Sequence, residues 1–141
     1  MLNIDFFETE NGMDIRAAKG GVYQVELVKE DKHICLYVGE SIWIASRCGQ
    51  HLYSVMDNPE YFGLKKEDID NNELTLKFSI VNKIEGKKSE LGFGTYKEYE
   101  LQAIKENEPL TQLKTSDRQI RNKQEKVDRV QYKMKELGFK K

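Results

Sequence analysis

Proline, cysteine, tryptophan and histidine are all scarce in this 141-residue chain, at two, two, one and two copies. The two cysteines, Cys35 and Cys48, form no C-x-x-C pair and no disulfide framework, and each stands among apolar neighbours. They read as reduced core residues, which suits a cytoplasmic setting. Long apolar runs are also missing. Nothing approaches the roughly 18 consecutive residues that a membrane span needs. The first residues, MLNIDFFETENG, are acidic and lack an apolar stretch of signal length. The expectation is a soluble protein without a membrane partner. Overall charge is scarce too: a formal net charge of −1 names no partner by itself. At this length one domain is expected, large enough to bury about two-thirds of its unfolded surface.

What is present is unevenly placed. Residues 114 to 141 hold ten Lys or Arg against four Asp or Glu, a balance of +6 that leaves −7 on residues 1 to 113. An acidic body with a basic tail is a charge asymmetry that can mark a polyanion-binding segment. Residues 57 to 73 concentrate six acids and two lysines and read as an irregular excursion with room for one helical turn.

Hydropathy patterning sets the expected elements. Residues 1 to 19 carry no clear signal and are treated as an N-terminal extension. GVYQVELV (21–28) and HICLYVG (33–39) are strands separated by the polar turn KEDK, so they should form an antiparallel hairpin. Ser41 is placed to cap a helix starting near Ile42, with Ile44, Cys48, Leu52 and Val55 on its core face. That helix should stop before Pro59. ELTLKFSIV (73–81) alternates most cleanly and is the third strand. A basic, glycine-punctuated loop follows, NKIEGKKSELGFG. Thr95 and Glu98 have capping-box spacing for a helix from about Tyr96, with Leu101 and Ile104 toward the core. Ser116 and Gln119 repeat that spacing before a long C-terminal helix. Its stripe is Ile120, Val127, Val130, Met134 and Leu137, with Gly138 as the stop. The stripe suits packing on the domain, and its heptad-like spacing also suits a homodimer through this helix. The fold class is therefore α/β of the α+β type. A small, mostly antiparallel three-stranded central sheet is flanked by helices, with a domain at 20–113 and a basic helix at 114–141.

Arg47 and His51 stand one turn apart on the first helix and project from the same side. Two readings stand beside each other, a solvated polar face and an anion site. Arginine presents a planar fork that suits phosphate, and histidine can donate or shuttle a proton. Tyr23 and Tyr37 lie in the two hairpin strands, and Glu100 lies near the start of a later helix. Two phenols, a guanidinium, an imidazole and a carboxylate are a set able to hydrolyse a phosphodiester.

The residues carrying this set resemble the GIY-YIG nuclease family. GVY at 21–23 and YVG at 37–39 resemble its two signature triplets. Ser41 stands two residues after the second glycine, Arg47 ten after the second tyrosine, and His51 four beyond that arginine. ELQAIKENEP, Glu100 to Pro109, matches a later E-x-x-x-I-K-x-x-x-P pattern. The likeness spans residues 20 to 112. There are departures: Gln112 stands where the family often has asparagine, Glu40 replaces a basic or neutral residue, and the 57–73 stretch looks inserted.

The resemblance implies a metal-dependent DNA endonuclease, a hydrolase in which Glu100 holds one Mg²⁺ or Mn²⁺. Arg47 would clamp the phosphate's non-bridging oxygens and Tyr23 would orient or deprotonate the attacking water. Tyr37 and His51 would complete the pocket, with Ser41 and Gln112 in support. The five polar tips should line one shallow, exposed cleft. Two other readings are open: a catalytically inactive nucleic-acid-binding module on the same fold, and a protein-interaction domain whose long helix recruits a partner.

Overall fold

In the computed structural model the described residues are 1–81, 95–112 and 119–141, with the backbone alone described at 95–98. The glycine-punctuated loop and Ser116 lie outside them. β1 spans Asn3–Phe6, and a small ribbon pairs β2 (Glu8–Thr9) with β3 (Gly12–Met13). A 3-10 turn, Ile15–Ala18, leads into β4 (Gly21–Lys29) and β5 (Lys32–Ser41). α1 is Ile44–Asp57, a second 3-10 turn is Pro59–Phe62, and α2 is a single turn at Lys66–Ile69. β6 (Thr75–Ile80) precedes α3 (Thr95–Asn107) and α4 (Lys123–Glu136). Among the described residues no helix is long and apolar enough to cross a membrane.

The mixed α/β architecture matches the expectation, but the sheet has four strands in the order β1-β6-β4-β5. β6-β4-β5 is the antiparallel unit read from the pattern. β1 adds a parallel fourth strand beside β6, pairing Asn3 to Phe6 with Thr75 to Phe78. Within residues 1–19, Asn3–Phe6 thus belongs to the main sheet, while β2 and β3 form a separate ribbon. A four-residue parallel edge strand makes its contacts about seventy residues away, so local alternation carries little trace of it. Leu2 and Phe7 flank β1 and are buried in the main core.

The sheet is covered on both faces. Tyr23, Val25 and Leu27 of β4 face the larger core, with α1, the 58–64 segment and α4. Val22 and Val38 face a smaller one closed by Tyr99, Ala103 and Ile104 of α3. Leu101 was expected in the core and is 39% exposed. Glu100, 3% exposed, is buried instead. The helical period permits either assignment within one turn, and packing on the sheet selects it.

Two helix starts differ from the pattern. α1 begins at Ile44, because pairing with Gly21 keeps Ser41 in the strand. Ser41 Oγ accepts from the Trp43 amide at 3.0 Å, and the Ile44 amide donates to Lys19 O at 3.0 Å. α4 begins at Lys123 with Asn122 as its cap, accepting from the Glu125 amide at 3.0 Å. Ile120 precedes the helix in an extended segment, its amide donating to Thr111 O at 2.7 Å.

The excursion at 57–73 is the dock for α4. Val127, Val130 and Met134 are buried, and Val130 packs on Gly63. Lys126 Nζ donates to Tyr61 O at 2.8 Å, and Gln131 Nε2 donates to Gly63 O at 3.1 Å and Asp68 Oδ2 at 2.9 Å. Lys140 Nζ pairs with the buried Asp68 at 2.8 Å. Part of the charge asymmetry is therefore internal: the acidic stretch meets the basic tail. The stripe faces its own domain, so a dimer through α4 would have to use the opposite face, where Tyr132 is 69% exposed.

Candidate active site

The site is built on the β4-β5 hairpin. Tyr23 pairs directly with Gly39, and Val25 with Tyr37. Residues directly opposite each other share a face, so Tyr23 and Tyr37 lie on the same one. A bulge just beyond this pair decides which other β5 residues join that face. The register runs from Tyr37 opposite Val25 to Cys35 opposite Glu26, leaving Leu36 unpaired. Without the extra residue, strict alternation would set Tyr37 on the face opposite Ile34 and Leu36. With it, Leu36 and Tyr37 both enter the larger core.

Gly39 is required by close approach. A Cβ there would stand 2.6 Å from Tyr23 Cζ and 2.8 Å from Tyr37 Cε2. The missing side chain is the space into which the two rings close, with centroids 6.2 Å apart.

α1 brings His51 over these rings. Its centroid is 4.9 Å from Tyr37 and 5.7 Å from Tyr23. His51 Nε2 and the Tyr23 hydroxyl are 2.7 Å apart, and His51 Nδ1 and the Tyr61 hydroxyl 2.8 Å. His51 is 1% exposed, while Leu52, expected to hold the core position, is only half-buried. An imidazole is tolerated there because both ring nitrogens have partners. Burial, and then the Arg47 charge, push its pKa down to about 3, so the ring is neutral at neutral pH.

Arg47 is exposed, its Nη1 donating to Gln50 Oε1 at 3.1 Å. Arg47 and His51 are thus one turn apart but differ in surroundings, one in solvent and one in the core. Burial raises the Tyr23 pKa far above the ordinary phenol range, and the charges of Tyr37, Cys48 and Glu100 add to this while Arg47 opposes it. The Tyr23 hydroxyl therefore feels both the guanidinium and the carboxylate, although they come from α1 and α3. The expected shallow, exposed cleft is not what the described residues form. Tyr23, His51 and Glu100 are buried, Tyr37 is 9% exposed, and Arg47 alone of the five is exposed. A cavity of 670 Å³ lies elsewhere, lined by residues including His33, Cys35, Leu101 and Arg129, and none of the five borders it.

The supporting residues take definite positions. Gln112 Oε1 accepts from the Val38 amide at 2.8 Å, and its Nε2 donates to Val38 O at 2.6 Å. The side-chain amide stands in for a neighbouring strand's peptide along β5, next to Tyr37 and Gly39. Ser41 shapes the turn into α1. Tyr61 was missed in the sequence. An aromatic pair, Tyr61-Phe62, within an acidic stretch was the only signal, and Phe62 is fully buried.

Among the described residues no group of three or more His, Cys, Asp or Glu could hold a metal ion. Among the described residues, Glu100 is the carboxylate whose charge bears on Tyr23. Mg²⁺ keeps several waters and takes further ligands from substrate phosphate, so a single carboxylate fits its requirements. No family model, curated protein or solved structure matches this chain.

Proposed function

We propose that this protein is a metal-dependent endonuclease that hydrolyses DNA phosphodiester bonds by GIY-YIG-type chemistry. One observation carries the reading: the Tyr23 hydroxyl of β4 is hydrogen-bonded to His51 of α1, and the charges of Arg47 on α1 and Glu100 on α3 both bear on it. The antiparallel β6-β4-β5 unit, with the two triplets on its hairpin, supports it.

Each side chain has a task within its observed surroundings. Exposed Arg47 clamps the non-bridging oxygens of the scissile phosphate through its planar fork. Tyr23 is held neutral, so it acts through its oxygen lone pair, orienting and receiving a proton from the attacking water. His51, neutral as well, takes the proton that Tyr23 gives up. Tyr37 packs against His51, with ring centroids 4.9 Å apart. A divalent cation held by Glu100, Mg²⁺ or Mn²⁺, would supply charge stabilisation at the phosphate and leaving oxygen.

The burial of Tyr23 and Glu100 favours a second reading, a nucleic-acid-binding module that does not cut. One assay separates the two. Supercoiled plasmid is incubated with Mg²⁺ or Mn²⁺ and wild-type protein, Glu100→Ala or Arg47→Ala. The nuclease reading expects nicking or linearisation that falls by roughly a hundredfold or more in each variant. DNA retention without cutting, unchanged by Glu100→Ala, establishes the module. Neither cutting nor retention rejects both.

A further inference from the structure

Tyr61 belongs to none of the motifs, yet it holds the second nitrogen of the candidate catalytic histidine. We infer that Tyr61 is a positioning residue that fixes His51 in the Nδ1–H tautomer, leaving Nε2 as the acceptor for Tyr23 and completing a proton path from Tyr23 to solvent. The inference deepens the endonuclease reading and rests on it for its catalytic part.

The tautomer follows from competition. A neutral imidazole has one acceptor nitrogen, and two phenols reach it at 2.7 and 2.8 Å. A phenol is both donor and acceptor, so one tyrosine donates to the ring and the other accepts from it. Tyr23 is 1% exposed, and an unmade bond from its buried hydroxyl would be costly. Tyr61 is only half-buried, so its own proton can go to water. Tyr23 therefore donates to Nε2, and Nδ1–H donates to Tyr61.

The position of Tyr61 is secured from α4 and the segment before it. Lys126 Nζ and Gln119 Nε2 both donate to its carbonyl, at 2.8 and 3.0 Å. Lys126 Nζ also stands 5.3 Å from the ring centroid, and Phe62 packs edge-on at 4.8 Å. These contacts use the ring and backbone and leave the hydroxyl to His51.

The path balances. The water O–H bond breaks as Tyr23 gains that proton. The original Tyr23 proton passes to Nε2, the Nδ1 proton passes to Tyr61, and the original Tyr61 proton enters bulk water. The imidazole carries one proton before and after, so no imidazolium has to form in the core, where burial opposes it. The starting tautomer is restored when bulk water protonates Tyr61, Tyr61 passes its proton to Nδ1, Nε2 returns its proton to Tyr23, and Tyr23 releases its other proton to the water that replaces the product.

The test uses the full chain, ¹⁵N-labelled, with His51 side-chain nitrogens observed by NMR in wild type and Tyr61→Phe. The variant keeps the ring and its packing and removes only the hydroxyl. Wild type should show Nδ1 protonated and Nε2 bare, and Tyr61→Phe should move the population toward Nε2–H. Plasmid cleavage by Tyr61→Phe should fall about tenfold or more in kcat, with KM unchanged. A wild-type Nε2–H tautomer, or signals that Tyr61→Phe leaves in place, overturns the inference even if DNA is cut. The expected tautomer in a protein that cuts no DNA supports the positioning role and rejects the nuclease reading instead.

Discussion

His51 shows how much one residue's surroundings decide. Its ordinary pKa of 6.5 is pushed down to about 3 in the fold, chiefly by burial. Between these values the unfolded chain binds a proton that the folded chain refuses. The contribution is present in full above pH 6.5 and is lost as pH falls toward 3, at up to about 1.4 kcal/mol per pH unit. Tyr23, Tyr37 and Tyr61 face the ring from three elements, and Arg47 and Cys48 lie beside it on α1. Replacing the ring should flatten the acid limb. Urea melts at pH 7 and pH 5 should show a large stability difference in wild type and a much smaller one in His51→Gln. Equal slopes would show that His51 does not resist protonation. Gly39 makes the same point through absence, since any side chain there would occupy the space of the Tyr23 ring.

At the scale of elements, the hairpin and α1 were legible because strand alternation and helical period are local. The bulge at Leu36 was not, since it depends on how β5 pairs with β4. α4 was legible as an amphipathic helix, but the surface receiving it was not. Gly63, at φ +72, forms the centre of that surface, and a Cβ would stand 2.6 Å from Lys126 O and 2.9 Å from Val130 Cβ. Gly63→Ala should therefore cost about 1–3 kcal/mol, from overpacking with backbone strain added. Hydrogen exchange locates the damage: α4 amides should lose protection ahead of those in β4 and β5. Unchanged α4 protection in a stable variant would mean that the helix docks elsewhere.

Across the whole molecule, both chain ends close one core. Leu2, Phe7 and Phe139 all belong to the larger cluster. Lys29 Nζ donates to Phe139 O at 3.3 Å, and Lys140 pairs with Asp68 across seventy-two residues. Ending the chain after Leu137 removes Phe139, 1% exposed, together with the cation that faces Asp68. Loss of a buried phenylalanine alone is worth about 3–5 kcal/mol, and the unpaired carboxylate adds to it. Thermal or urea unfolding of the truncated chain should show a loss of at least about 3 kcal/mol. A truncated chain as stable as the full one would show that the last four residues are dispensable.

The sequence by itself determined the hairpin, the third strand, the amphipathic character of α1 and α4, and the residue types of the candidate site. Those features rest on periodicity and on fixed spacing along one segment. Only the tertiary structure decided that β1 joins the sheet, that His51 rather than Leu52 takes the buried position, and that the acidic stretch receives the basic tail. It alone placed Tyr61 on His51. Each of these depends on pairing between distant segments, where the deciding term is whether a buried polar group finds its partner. No local pattern encodes that.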